Sequence, residues 1–475
     1  MKILIVYAYF ETPDAKRNLG FFCRHAVTPL RDRHHVIVVN GACSIEDQIP
    51  RFENVTLVRR DNKGFDFGAW AHALRTVKLE QFDYFFLLNS SVTGPFLPLY
   101  EDSAHWPELF LSMLSDRVKL VGITMDNWWQ RDPTVHSMFL ATDRTGLTLL
   151  HKTGIFTGND GDVRKIEDVV LKREAGCSKS ILAAGFSIDC LALSHSKHSL
   201  ALQKAGPHHS VHGPSAYLHG YSLEPLDTVF FKTNRDSSPA ALERSMQLAD
   251  YKRATAAERC FQDARILRTI EALKRVPSTW RSHVEFAVWL TCRFLPQVVV
   301  DLGVESGVST YAWGISGLSQ TVGVDEFRAD SAAHVAVLAL AESLARDCGY
   351  EETVRIWKAS PKDASRAFKS KVDVLHVDGT RAHETLKRDL RHWISKLSKG
   401  GIVLVHGTRT RPDSVRKVFD ELDGTKIHLD YGAGLGVVSS DGTKIATIDR
   451  EWSRSLRLHG AEVRHADFYN LSMYP

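Results

Sequence analysis

The stretch Val298 to Thr310, VVVDLGVESGVST, constrains the chain more than any other. Three valines and an aspartate run into two glycines, Gly303 and Gly307, and then into Ser309-Thr310, a pair able to open a helix. An apolar run of this kind predicts a strand covered on both faces. Glycine frees the following turn to take positive φ, and lets backbone N–H groups approach a ligand with no Cβ in the way. A second apolar run, Thr321 to Val324, ends in Asp325, where a nucleoside-binding fold places a carboxylate for the ribose hydroxyls. The pair predicts a nucleoside cofactor site in an α/β domain. Alone, the glycine turn fits any strand-to-helix connection equally well.

Further along, VDVLHVD (Val372 to Asp378) predicts a buried strand ending in an acid, and GIVLVH (Gly401 to His406) one ending in a histidine. Between them, Glu384 to Leu397 has helical spacing, closed by Lys399-Gly400-Gly401. Ligands of doubly wound sheets sit beyond the carboxyl ends of the strands. Gly303, Asp325, Asp378 and His406 are therefore predicted to converge on one crevice.

DLGVESGVSTYAW, VGVDEF, DVLHVDGTRAHETLKRDLRHWISKLSKGGIVLVHGT and a late GAGLGVV, spread over Trp280 to Ser440, resemble the class I S-adenosylmethionine-dependent methyltransferases found beside polysaccharide glycosyltransferases. The resemblance implies a Rossmann-like domain. It also implies that Asp301, Gly303, Glu305 and Gly307, with Ser309, line the methionine end of S-adenosylmethionine, that Asp325 holds the ribose, and that Asp378 lies beside the transferred methyl. Relatives read DGxHxY and HD after the last two strands; here Arg381, His383 and Gly407 replace the histidine, the tyrosine and the second aspartate. A lone Asp378 offers Mg²⁺ one carboxylate where it wants an octahedron of oxygens, so no divalent metal is predicted. Deprotonation of an acceptor hydroxyl then falls to His383 or His406. The alternative is a cofactor binder without turnover, with His406 a satisfied strand-end residue.

At 475 residues the chain exceeds what one hydrophobic core supports, which predicts two or three domains. Its net charge of +4, from 60 basic and 56 acidic side chains, is too small to argue for nucleic acid. Seven scattered cysteines without a C-x-x-C indicate neither a disulfide framework nor a zinc site, and suit a reducing cytoplasm. The start MKILIVYAYFE continues as a strand rather than as a signal peptide. The longest apolar stretch, Val284 to Val304, is broken by Arg293, Pro296 and Asp301, so no membrane span is predicted.

Strand, helix and strand in the first sixty residues open a second parallel α/β domain, with a helix expected over Lys16 to Leu30. RDNKGFDFGAW follows, in which Gly64 and Gly68 bracket Asp66 ahead of a helical run, a turn suited to a nucleotide's base or ribose. Tyr84 to Leu88 then predicts a strand ending in Asn89-Ser90-Ser91, uncharged where metal-using sugar transferases carry an acidic pair. NKGFDFG (from Asn62), FFLLNSSVTGPFLP, HSMFLATDRTGLTLL and HGYSLEPLDTVFFKTNR resemble, in order, a rhamnan-synthesis-type family of bacterial glycosyltransferases with a GT-A-like fold. The resemblance implies transfer of a sugar from a nucleotide-sugar donor to a glycan acceptor, with Asn62, Gly64, Asp66, Gly68, Asn89, Ser90 and Ser91 at the donor. Lys63, Arg144 and Lys232 are the candidates to stabilise the leaving group without a metal.

Among Glu167, Asp168 and Glu174, Glu174 best matches the acid expected to act as general base, although all three also fit a solvated helix face. His136 suits either a sugar contact or packing. His208, His209 and His212 suggest a metal by residue type, but no acid or cysteine completes a set and their glycine- and proline-rich surroundings indicate an exposed loop. The expected organisation is a GT-A-like domain over residues 1–235, a helical linker over 236–279, a class I methyltransferase-like domain over 280–448, and a tail over 449–475. Within the linker, one long helix or two shorter ones are predicted, docked between the domains or laid on an acidic membrane surface, and peripheral association with a membrane-bound glycan assembly is compatible with the chain.

Overall fold

Every residue of ILIVYAY is buried, and this run forms β1 (Ile3–Tyr9), near the middle of a seven-stranded sheet. Our computed structural model describes residues 1–98, 105–126, 133–156, 169–192, 224–233, 239–255, 261, 263–327, 339, 343, 353–378 and 383–453. Within it β1 is joined by β2 (Arg33–Asn40), β3 (Val55–Arg60), β4 (Tyr84–Asn89), β5 (Val118–Gly122), β6 (Phe139–Asp143) and β7 (Ser187–Cys190). The order across the sheet is β7-β5-β6-β4-β1-β2-β3, and β6 alone runs antiparallel to its neighbours. Strand order reverses at β1, whose neighbours are β2 on one side and β4 on the other. In such a sheet a ligand site is expected beyond the carboxyl ends of β1 and β4.

Alternation along β1 fills both sides of this sheet. Ile3, Ile5 and Tyr7 pack with Leu19 and Phe22 of α1 (Pro13–His25), whereas Leu4 and Val6 pack with Trp70 and Leu74 of α2 (Phe65–Thr76). The first of these helices is set locally: Thr12 caps it, accepting from the Ala15 N–H at 3.0 Å, Pro13 occupies its first turn, and Arg24 and His25 lie in its last. It ends at His25, five residues before the expected stop. Where Glu174 was expected on a helix face, a π-helical turn, Val169–Glu174, leads into α3 (Ala175–Ala183).

The chain divides between Arg253 and Ala254. What the sequence suggests is a linker contains two helices, α4 (Pro239–Ala254) and α5 (Ala264–Arg275). The first packs on its own unit: Leu242 and Met246 meet Phe21, Phe96 and Phe231, while Asp250 lies 2.8 Å from His25 Nε2.

The second unit repeats the plan. β8 (Val298–Leu302), β9 (Gln320–Asp325), β10 (Val354–Lys358), β11 (Val372–Asp378), β12 (Leu397–His406), β13 (Thr425–Leu429) and β14 (Leu435–Ser439) form a sheet ordered β10-β9-β8-β11-β12-β14-β13. Six strands run in one direction, and β14 alone runs against them, between β12 and β13. Here the switch lies between β8 and β11. Helix α6 (Val284–Phe294) and the short α7 (Val308–Gly314) cover one face, and Leu386, Leu390 and Trp393 of α8 (His383–Ile394) cover the other. Residues 449–453, expected in the tail, belong to this core through Trp452 against Phe286 and Trp289, with Glu451 paired to Arg293. Both units are thus α/β, the second Rossmann-like. Among the described residues no helix is long and apolar enough to cross a membrane.

Candidate functional sites

In the second unit the glycine turn leaves β8 at the switch. Gly303 has φ +102° and Gly307 φ +84°, both in the left-handed range that glycine tolerates and other residues resist. A Cβ on Gly303 would come within 3.0 Å of the Asp378 Cβ, so the two strand ends are in direct contact. Glu305, exposed with φ +46°, donates its backbone N–H to Asp325 at 3.3 Å, and Asp325 also accepts the Phe327 N–H at 3.2 Å. Partial burial pushes the Glu305 carboxyl up, and the nearby charges of Asp378, Asp325 and Asp301 push it further. The glycine turn and the two strand-end acids, Asp325 and Asp378, are therefore gathered in one place.

Two of the residues expected to line it are bonded to each other. Asp301 is wholly buried and its carboxylate is already used: Oδ2 accepts from Ser309 Oγ at 2.7 Å and Thr310 Oγ1 at 2.5 Å, and Oδ1 lies 2.6 Å from His376 Nδ1. Asp301 thus ties Ser309 and Thr310 to the end of β8. A residue the sequence reading passed over, Ser306, keeps a buried hydroxyl inside the turn with no partner among the described residues.

Asp378 and His406 are opposite one another in the parallel register of β11 and β12, and His406 Nδ1 lies 3.2 Å from Asp378 Oδ1. The ring is only 2% exposed, packed against Trp280 and His283, and its Nε2 is buried without a partner among the described residues. His283 is enclosed too; burial first, then His406 and His376, hold its ring well below the usual histidine range. His383 begins α8, its Nδ1 3.1 Å from Glu384 Oε1. Gly407 has φ +86°, which suits glycine at the position of the missing aspartate. Arg381 lies outside the described residues. No group of three or more His, Cys, Asp or Glu side chains suited to a metal occurs among the described residues.

The first unit presents its own crevice at the ends of β1 and β4. Gly64 (φ +71°) caps α2, and a Cβ on Gly68 would run into the Lys63 carbonyl oxygen, so glycine is required for the turn to fold back on itself. Asp66 Oδ2 accepts from Asn89 Nδ2 at 2.6 Å; Asn89 Oδ1 in turn accepts from Ser91 N at 3.0 Å and Ser91 Oγ at 2.6 Å. Ser90 is pinned through its carbonyl by Asn18 Nδ2 at 2.9 Å. Asn62 is exposed at the turn's start. Burial raises the Asp66 carboxyl, outweighing the bond from Asn89; the charge of Glu174 raises it further and that of Lys232 lowers it.

Both distant residues therefore bear on the same crevice. Glu174 is held by Ser137, which donates to it through its backbone N–H at 2.8 Å and through its hydroxyl. Lys232 pairs in antiparallel register with Val92, one residue past Ser91. His136 packs nearby in sequence with Nδ1 2.8 Å from Thr124 Oγ1, and Lys63 is exposed beside Asp61. Arg144 is a correction. It follows β6, whose antiparallel course sets Asp143 opposite Tyr84 at the start of β4, and its guanidinium donates to the Phe82 and Glu80 carbonyls. It is at the wrong end of the sheet for a leaving group. Glu167, Asp168, His208, His209 and His212 lie outside the described residues.

Residues 300–408 match a family model described as a methyltransferase domain. The chain is similar in structure to a Podospora anserina methyltransferase with SAH bound (14% identity, 37% of this chain and 87% of that one, TM-score 0.31) and to a Bacillus cereus O-methyltransferase in complex with SAH (13%, 37% and 91%, TM-score 0.30). The uncharacterized protein y4gI of Sinorhizobium fredii is 27% identical over 172 residues, 34% of this chain. The match spans 19% of that relative's length. Residues 36–224 match the model of rhamnan synthesis protein F. The first unit therefore matches the model of rhamnan synthesis protein F and the second that of a methyltransferase domain.

Proposed function

We propose that the chain is a two-module transferase of polysaccharide assembly. Its first unit moves a sugar from a nucleotide sugar to a glycan hydroxyl in a GT-A-like crevice, and its second binds S-adenosylmethionine and methylates a glycan hydroxyl. One observation carries the reading: each sheet opens at its strand-order switch, and the crevice there is lined by a glycine turn and a carboxylate from the adjoining strands or helix.

In the first unit Glu174 is the general base, oriented by Ser137, and takes the acceptor proton as the new glycosidic bond forms and the bond to the nucleotide diphosphate breaks. Lys63 and Lys232 offset the charge left on the diphosphate, in place of an acid-bound cation. In the second unit Gly303, Glu305 and Gly307 would hold the methionine end and Asp325 the ribose. The bound cofactor supplies an electrophilic methyl on a sulfonium. Asp378 fixes the His406 ring through Nδ1–H, which leaves Nε2 to take the proton of the acceptor hydroxyl; His383 is the other candidate.

A second reading keeps cofactor binding and drops turnover, making the unit a docking module for the glycosyltransferase. The burial of His406 Nε2 favours it, since a base must be reachable by its substrate.

The test uses the full chain: calorimetric titration with S-adenosylhomocysteine, transfer of labelled methyl to a polysaccharide extract, and thermal shift against a panel of nucleotide sugars. Binding of S-adenosylhomocysteine with label transfer abolished by H406A supports the enzyme. Binding without any transfer supports the docking module. Failure of every nucleotide sugar to raise the melting temperature removes the glycosyltransferase assignment.

A further inference from the structure

Asp301 and His376 stand directly opposite each other on adjacent buried strands, β8 and β11, and both are 0% exposed. A charged carboxylate at such depth must be fully hydrogen-bonded, and this one accepts from three groups at 2.5 to 2.7 Å. Two of the donors, Ser309 and Thr310, lie in the first turn of α7, immediately after Gly307. The third is His376, which is itself engaged on its other nitrogen: Trp280 Nε1 donates to His376 Nε2 at 2.9 Å.

Indole nitrogen is a donor only, so Nε2 must present its lone pair to it, and the ring's proton must sit on Nδ1, facing Asp301. The tautomer is thereby fixed from both sides. Trp313 and Trp280 pack edge-on or tilted against the ring with centroids 5.8 and 5.0 Å away, which leaves it no second orientation. Asp301, in turn, ties the end of β8 to the start of α7, and the only chain between those two points is the turn from Gly303 to Gly307.

We propose that His376 is a positioning residue of the cofactor site: held by Trp280 as the Nδ1–H tautomer, it orients Asp301, which clamps Ser309 and Thr310 and so sets the course of the Gly303–Gly307 turn. The inference rests on the reading of this unit as an S-adenosylmethionine binder. His376 touches no ligand in this account; it acts through Asp301.

The test uses the full chain, with S-adenosylhomocysteine as the probe. H376L removes the donor to Asp301, whereas H376N retains an N–H near the place of Nδ1. W280F keeps an aromatic ring and deletes only the donor to Nε2. H376L is expected to bind ~10-fold or more weakly per folded molecule, the size of effect that loss of one hydrogen bond to a charged group produces, and H376N to recover to within about threefold of wild type. W280F is expected to fall between them.

Wild-type affinity in H376L, or an H376N as weak as H376L, overturns the proposal, because a residue that merely fills space would give one of those results. Nitrogen-15 NMR of the histidine-labelled wild type at neutral pH reads the tautomer directly, and so decides the case even where H376L does not fold. A protonated Nδ1 with a bare Nε2 supports the brace; Nε2–H or an imidazolium overturns it. Absence of S-adenosylhomocysteine binding by the wild type removes the functional reading itself, and is distinguishable because the tautomer is measured without ligand.

Discussion

Replacing Gly303 by alanine tests whether the turn after β8 is built for close approach. At φ +102° the position lies outside even the small left-handed region open to L-residues, so a side chain there is strained by roughly 1–3 kcal/mol. The added methyl would also stand 3.0 Å from the Asp378 Cβ, tighter than ordinary van der Waals contact, so one strand end must give way. Taking the two effects together as about 2–3 kcal/mol, and about 2–4 °C per kcal/mol for a unit of this size, the second unit should melt roughly 4–12 °C lower. Gly317 supplies the control. Its φ of +66° is allowed to an L-residue and nothing lies within 4 Å of its Cβ position, so G317A should cost only about 1 kcal/mol. Scanning calorimetry of the full chain reads the melting temperatures, and titration with S-adenosylhomocysteine reads the site. G303A should bind ~10-fold or more weakly because Asp378 is displaced, and G317A should bind as wild type. Equal affinities and equal melting temperatures for G303A and wild type would refute both the strain and the contact.

Three further outcomes concern the first unit. G68A drives a methyl into the Lys63 carbonyl, so the first unit's melting transition should fall and the thermal shift given by its best nucleotide sugar should vanish. Asp66 has its carboxyl raised by burial, so its protonated form favours the native state: the stabilisation is complete below the unfolded carboxylate range and is lost as pH rises through the folded value. D66N should therefore melt at or above wild type at pH 7 while losing sugar transfer, and its advantage should shrink as pH falls toward 4. His35 behaves oppositely. Burial pushes its ring down to about 3, and neither ring nitrogen has a partner among the described residues. Stability should be lost as pH falls from 6.5 toward 3, by up to on the order of 4 kcal/mol, and H35L should flatten that slope in a pH series of denaturant melts.

Local signals were legible in the sequence. The turns at Gly64–Gly68 and Gly303–Gly307, and the strands ending in Asn89, Asp325, Asp378 and His406, each follow from an apolar run meeting glycine or a polar residue, and no distant partner is needed to see them. Direction was not legible. The segment Phe139–Asp143 is as apolar as its parallel neighbours, and nothing in its periodicity says that it runs backward, so Arg144 was expected near Asn89 although β4 separates them by about 17 Å of strand. Pairing was legible only in retrospect. Asp301 and His376 each sit two residues before the switch-point residue of their strand, Gly303 and Asp378, and two strands in parallel register place such positions side by side. With β8 and β11 known to be neighbours, a lone acid and a lone histidine at matching depth would have identified each other. That β12 lies beyond β11 likewise makes Asp378 and His406 a pair.

The two crevices differ in charge, and the difference matches what each is proposed to hold. Beside the uncharged Asn89-Ser90-Ser91, Asp66 feels the charge of Glu174 and the opposing charge of Lys232, whereas Asp378, Asp325 and Asp301 all push the Glu305 carboxyl up. Such surroundings disfavour ionisation of Glu305 and favour a positive ligand. E305Q separates these effects. Because partial burial, and then the neighbouring acids, raise the Glu305 carboxyl, its native-state advantage is present below the unfolded carboxylate range and lost above the folded value, so at pH 7 the glutamine variant should melt no lower than wild type. S-adenosylmethionine carries a sulfonium charge that S-adenosylhomocysteine lacks. Within several ångströms and at the high effective dielectric of an exposed side chain, one carboxylate contributes on the order of 0.5–1 kcal/mol to such a charge. The ratio of the two affinities should therefore shift about two- to fivefold toward S-adenosylhomocysteine in E305Q. A ratio identical to wild type, measured at low ionic strength where the effect is least screened, would mean that the acids serve the turn's geometry and not the cofactor's charge.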